Sequence, residues 1–209
     1  MGIRTIGQLA HHPLTDLKKR WGINGELIYQ TAHLIDASPV TEDSHEGQKA
    51  ISHGMTLPKN LHILSDMLIP LRELCEEVAH DARKKGYMGS VVSVGVSGTD
   101  FDLPMGFHRQ KKLSEPTNDG KVIFDALKTV YREHWTGYPI RRLGVGLTQL
   151  TTDAYRQLNL FEPIKDNIAQ NNVMDAIKEK YGKDAVMYAS SIMDAGQVRQ
   201  RAKIGGHYK

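Results

Sequence analysis

The chain has 209 residues, 40% of them hydrophobic and 24% charged, with a formal net charge of +3. That is enough apolar material for one ordinary domain or two small ones. A single cysteine excludes an internal disulfide framework and fits a reducing cytoplasm, and no window is apolar enough to cross a bilayer. The opening stretch, MGIRTIGQLAHHP, lacks the apolar core of a secretory signal. Near-neutral charge is by itself weak evidence for nucleic acid: residues 49–155 hold 14 Lys and Arg against 12 Asp and Glu. Placement says more. Glu73, Glu76, Glu77 and Asp81 cluster in a helical pattern, while the predicted strands carry bases and almost no acids.

In chain order, residues 1–40 read as short helices. Ile3, Ile6 and Leu9 form one stripe, and Leu14, Leu17, Trp21, Leu27, Ile28 and Ala32 continue the helical period, punctuated by Gly22 and Gly25. The piece looks too small to close a core and is expected to be the remnant of a larger domain. Residues 41–48, polar and glycine-containing, read as a linker.

The central segment, 49–152, has a clear element order. A strand is predicted over 49–57 and a helix over 61–85, with Leu64, Leu68, Leu71, Cys75, Val78 and Ala82 on one face and Pro70 inside the pattern. Cys75 is expected in the core. An alternating strand follows over 90–98 and a basic strand over 106–113. Asn118-Asp119-Gly120 is a turn able to cap a helix over 121–135, and a last strand spans 140–150. The order β-α-β-β-α-β predicts an α+β fold: a four-stranded antiparallel-type sheet with two helices on one face. The tail, 153–209, is polar and is expected to be largely flexible, with a helix possible over 172–190.

Alternation within the strands is the most informative feature. Val92, Val94 and Val96 face one way with Ile51, His53, Met55 and Leu57, and with Leu143, Val145 and Leu147. The opposite face holds Ala50, Ser52, Gly54, Thr56, Ser93, Gly95, Ser97, Arg142, Gly144, Gly146 and Thr148. So low a surface lets a rigid partner approach the backbone, where N–H groups and short hydroxyls meet phosphate oxygens. Arg109, Lys111, Lys112, Arg141 and Arg142 at the rim supply attraction. Glycine in strands also serves bulges and tight sheet packing. The same pattern therefore fits a stand-alone ferredoxin-like module that uses the flat face for a protein partner or for regulation. The strands lack outward aromatic residues, which argues against stacking of single-stranded bases. The 10 histidines do not show zinc-site spacing, and no phosphate-binding glycine loop is present.

Several stretches together resemble one family: KAISHGMTLP (49–58), GTDF (98–101), LSEPTNDGKVIFDAL (113–127), YPIRRLGVGLTQL (138–150) and QLNLF (157–161). The central segment resembles the little finger domain of Y-family translesion DNA polymerases. MGIRTIGQLAHHPLTDLKKRWG (1–22) is similar to the end of the family's thumb, at its helix-hairpin-helix region. DAIKEKYG (175–182) and IGGHYK (204–209) resemble the tails of UmuC/DinB/ImpB-MucB-SamB-like enzymes from Gram-positive bacteria and their mobile elements. The resemblance implies contact with duplex template-primer DNA through Ser52, His53, Gly54 and Met55, through Arg109, Gln110 and Lys111, and through Arg141, Arg142 and Gly144. It implies a full-length DNA polymerase whose Mg²⁺-binding carboxylates lie in a palm upstream of the thumb, so that this chain alone carries no cofactor and is inactive. Asp100 and Asp102, bracketing Phe101, are read as structural.

Gln157, Leu158, Leu160 and Phe161 look like a peptide that docks on a sliding clamp (its β subunit). Leu160 and Phe161 would fill an apolar pocket while the Gln157 amide hydrogen-bonds. A flexible peptide loses entropy on binding, so an affinity of roughly micromolar order is expected.

Overall fold

The computed structural model describes residues 2–36, 38, 48–99, 105–155 and 167–203. The chain divides into two compact units, Met1–Glu46 and Gly47–Lys209.

The first unit holds three short helices: α1 (Ile6–Ala10), α2 (Leu14–Trp21) and α3 (Ile23–Ala32). Thr5 caps α1 by accepting from the Gln8 N–H at 3.2 Å. Leu17 is fully buried, and Gly25 packs so close to its backbone that any Cβ would collide with the Leu17 carbonyl. That close approach lets α2 and α3 form a tight hairpin, joined at Gly22 with φ 58°. Ile6, Ile23, Leu27 and Leu34 remain exposed.

The second unit is built on β1 (Ala50–Leu61), α4 (Leu64–Lys84), β2 (Tyr87–Ser97), β3 (Gly106–Thr117), α5 (Gly120–His134) and β4 (Ile140–Thr152). The α+β reading holds. The four strands are antiparallel in the order β1-β4-β2-β3. Helices α4 and α5 cover one face and bury Leu71, Leu74, Cys75, Val78, Ile123, Leu127 and Tyr131 against Ile51, Val92, Val94, Leu143, Val145 and Leu147. The Asp119 side chain caps α5 by accepting from the Lys121 N–H at 2.8 Å. Pro70 sits within α4 without ending it and is itself buried. Cys75 is fully buried, and burial pushes its thiol well above the ordinary value.

The expectation of a largely flexible tail is corrected for residues 167–203. They form α6 (Ile168–Tyr181), a 3-10 turn (Ala189–Ile192) and α7 (Val198–Lys203), held against the outer side of α4. Arg83 forks onto Asp175 through Nε at 2.6 Å and Nη2 at 2.9 Å, and His80 meets the same carboxylate at 2.9 Å. Tyr188 donates to Glu76 at 3.0 Å and, with Phe124, sandwiches the Arg72 guanidinium. The Gln197 N–H donates to Glu73 at 2.9 Å, Arg201 pairs with Glu77 at 2.8 Å, and Ala195 enters the core. The sequence misled because these anchors are polar and widely spaced. No apolar periodicity announces them, and their partners lie some ninety or more residues away on α4.

Two kinds of carboxylate hold this tail. Burial tends to raise the Asp175 pKa, but the bonds from Arg83 and His80 leave it below the usual range. Its contribution to stability is therefore present above the ordinary carboxylate pKa and lost as pH falls through the lowered one. Burial raises Glu73, whose contribution runs the other way, being lost as pH rises through the raised pKa. At neutral pH, Asp175→Asn is expected to lower unfolding free energy by about 1.5–3 kcal/mol. Glu73→Gln, which keeps an acceptor for Gln197, should leave it unchanged or raised. Thermal unfolding of the two variants beside wild type checks both.

Candidate nucleic-acid interface

The register of the sheet shows which side chains share the uncovered face. Read in the order β1, β4, β2, β3, one row is Ser52, Gly146, Ser93 and Gln110. The next is Gly54, Gly144, Gly95 and His108, and the third is Thr56, Arg142, Ser97 and Gly106. The middle row has no side chain on three of its four strands. An open depression of about 800 Å³ results, lined by Gly54, Thr56, Gly95, Ser97, His108, Arg142 and Gly144 among others.

The glycines there are not equally required by the fold. A Cβ at Gly54 would come no closer than 3.5 Å to any neighbour, and one at Gly144 no closer than 3.8 Å, which is ordinary van der Waals contact. Gly106, by contrast, abuts the Val96 carbonyl and has no room for a Cβ. Packing therefore explains Gly106 but not Gly54 or Gly144. What these two provide is low relief on the outside of the sheet.

The residues expected to touch DNA separate into two groups. Ser52, Gly54, Gln110, Arg142 and Gly144 lie on the open face. His53 and Met55 lie on the helix-covered side: Met55 packs on the core, and the His53 Nε2 meets Asp81 on α4 at 2.8 Å, with Glu77 at 3.8 Å from Nδ1. The bond from His53 leads in holding Asp81 below its ordinary pKa. Arg109 and Lys111 pair with Val94 and Val92, positions that face the helices, so their exposed side chains leave the sheet along its β3 edge. Arg141 donates to the carbonyl of Pro58, within β1, at 2.8 Å. The resemblance named contiguous residues, whereas a strand sends neighbours to opposite faces. His108 and Lys112 share parity with Gln110 and also lie on the open face, a placement that the alternation in the sequence already carried.

Gln157, Leu158, Leu160 and Phe161 lie outside the described residues, as do Asp100, Phe101 and Asp102 and the 204–209 stretch. Among the described residues, no group of three or more His, Cys, Asp or Glu is arranged to hold a metal ion. His53 and His80 face carboxylates on α4 and α6 instead. No helix is long and apolar enough to cross a membrane among the described residues.

Residues 48–160 match the impB/mucB/samB family C-terminal domain, a span that covers the whole sheet and both of its helices. The chain belongs to this family, the Y-family of DNA polymerases. Over its full length it is 50% identical to DNA polymerase IV 2 of Bacillus subtilis (strain 168) and 48% identical to DNA polymerase IV 2 of Halalkalibacterium halodurans. It is 32% identical to DNA polymerase IV of Pelotomaculum thermopropionicum, again over its full length. The chain spans about half the length of these relatives, 51% in each case. The family match stops at residue 160, so the docked segment 167–203 lies beyond it, yet the identity to the B. subtilis relative runs through it.

Gly54→Ala and Gly144→Ala are each expected to raise unfolding free energy by about 0.4–1 kcal/mol, because alanine restricts the unfolded chain and fits the folded one. Gly106→Ala should lower it. Denaturant melts of the three variants separate glycines that serve packing from those that keep the face low.

Proposed function

We propose that the Gly47–Lys209 unit is the duplex-gripping module of a translesion DNA polymerase, with its open sheet face laid along the sugar-phosphate backbone of the template-primer. The observation that carries this reading is the glycine and serine face with Arg142 at its edge, on a domain of a DNA polymerase family. A groove without bulky side chains brings backbone amides within reach of phosphates. It reads little base sequence, which suits an enzyme that must copy any template. Arg109 and Lys111, along the β3 edge, add long-range attraction rather than contact on the face, whereas Lys112, opposite Val91 and in step with Gln110, brings its charge to the open face itself. His53 and Met55 act from behind, setting the backbone of β1 rather than meeting DNA.

In this reading nucleotide transfer belongs to the full-length enzyme, whose palm carboxylates would hold Mg²⁺. The residues described here hold DNA, and the chain alone does not extend a primer. The peptide Gln157–Phe161 docks the enzyme on a sliding clamp, with Leu160 and Phe161 as apolar anchors.

Duplex binding by the chain is expected to be sequence-independent and to weaken at least tenfold from about 50 to 200 mM salt. Gly144→Glu should weaken it further while leaving the melting temperature near that of wild type. An affinity indifferent to salt, or untouched by Gly144→Glu, would point to a protein partner for this face, the alternative use of a ferredoxin-like sheet. For the second contact, Leu160→Ala combined with Phe161→Ala should abolish capture by a bacterial clamp ring in surface plasmon resonance. Equal binding by wild type and double variant removes the docking claim.

A further inference from the structure

The middle row of the open face, Gly54, Gly144, Gly95 and His108, carries one side chain, and it stands on the edge strand. A Cβ at Gly95 would come within 3.1 Å of His108 Cδ2, tighter than ordinary contact. The imidazole therefore lies over the bare backbone of β2, and Gly95 is the residue that gives it room. It closes one end of the depression that the three glycines open. From β2 it is faced by Ser93, Gly95 and Ser97, and from β4 by Gly144 with Arg142 in the next row. On its own strand Lys112 follows beyond Gln110, and Arg109 turns its guanidinium to the His108 carbonyl at 2.9 Å. These rows contain bases and no acid. Elsewhere in this unit His53 and His80 meet carboxylates, and His134 meets the Val130 carbonyl at 2.9 Å. The exposed ring of His108 has no hydrogen-bond partner among the described residues.

We infer that His108 is a phosphate-contacting residue of the open face whose ring takes up a proton as it meets the duplex backbone, so that the grip tightens as pH falls. This rests on the duplex reading above and adds to it one residue and one proton. Imidazole is the side chain that ordinarily changes charge between pH 5 and 8, and once protonated both of its nitrogens donate. A sugar-phosphate backbone seated along the glycine row ends against that ring. The phosphate keeps its charge throughout this range, and a bond from the ring N–H to its oxygen is stronger when the ring is charged. Binding therefore carries proton uptake, and by linkage affinity rises as pH falls. Since the surrounding rows hold no acid, the incoming phosphate is the group that balances the proton. Lys112 and Arg142 stay charged over the same range and supply a constant attraction. His108 supplies the part that pH adjusts. His53 and His80, already paired on the helix side of the sheet, act on the fold rather than on the duplex.

The test is fluorescence anisotropy of the full chain on a short labelled duplex without terminal phosphates, at pH 6 and pH 8 and one ionic strength. Wild type is expected to bind on the order of fivefold more tightly at the lower pH. His108→Gln should bind with one affinity at both values, close to that of wild type at pH 8. His108→Lys, with its charge fixed, should restore at pH 8 the affinity that wild type shows at pH 6. Because the side chain is exposed, both variants should keep the melting temperature of wild type, and a merely structural role for His108 would not produce the lysine rescue. A wild-type affinity that ignores pH, or a pH response that survives in His108→Gln, overturns the inference. Gly144→Glu separates it from the reading beneath it. If that variant weakens binding while His108→Gln behaves as wild type at both pH values, the duplex reading stands and the role of His108 falls. If Gly144→Glu binds as wild type does, the duplex does not lie on this face and both fall.

Discussion

Everything in the larger unit depends on the one-sided burial of its sheet. Ile51, Val92, Val94, Leu143, Val145 and Leu147 all point under α4 and α5, and the helices present matching apolar stripes. With a period of two, that commitment sends every alternate residue to the other side. The residues found there are small rather than charged. Burial on one face thus creates, by geometry alone, a low and uncovered surface on the other, and the proposed interface occupies it.

Polarity is used differently on the two sides. On the open face it is carried by short hydroxyls, by Gln110, His108 and Lys112 on the edge strand β3, and by Arg142. On the helix side it is concentrated along α4, where Glu73, Glu76, Glu77 and Asp81 each meet a partner from another part of the chain. Two of these carboxylates, Glu73 and Glu76, are raised by burial, and Asp81 is lowered, chiefly by its bond from His53. An acidic helix flank that looks like a solvated surface in one dimension is in fact the seat for residues 188–201. The acids of α4 therefore do not offset Lys112 and Arg142 on the open face. They are engaged on the far side of the sheet.

Strand and helix order was legible because alternation and helical period are local signals: Val92-Ser93-Val94-Gly95-Val96 can hardly be read otherwise. The small-residue face was legible for the same reason. Element ends were less so. The first strand runs on to Leu61, past Pro58, because an edge position tolerates a residue without an N–H donor. The expected DNA-contact set, drawn from contiguous residues, is divided between two faces: the pleat turns His53 and Met55 inward and sends Arg109 and Lys111 toward the helix side of an edge strand.

By itself, the sequence determined the α+β class, the element order, the apolar core and the small-residue content of one sheet face, since each is encoded in residues a few positions apart. Only the tertiary structure decided which residues stand side by side in the rows of that face, because register depends on strand pairing between distant segments. It also decided that residues 167–203 belong to the folded unit. Their attachment rests on dispersed, mostly polar contacts, such as Asp175 with Arg83 and Gln197 with Glu73, that span some 90 to 125 residues of chain and leave no periodic trace in the sequence.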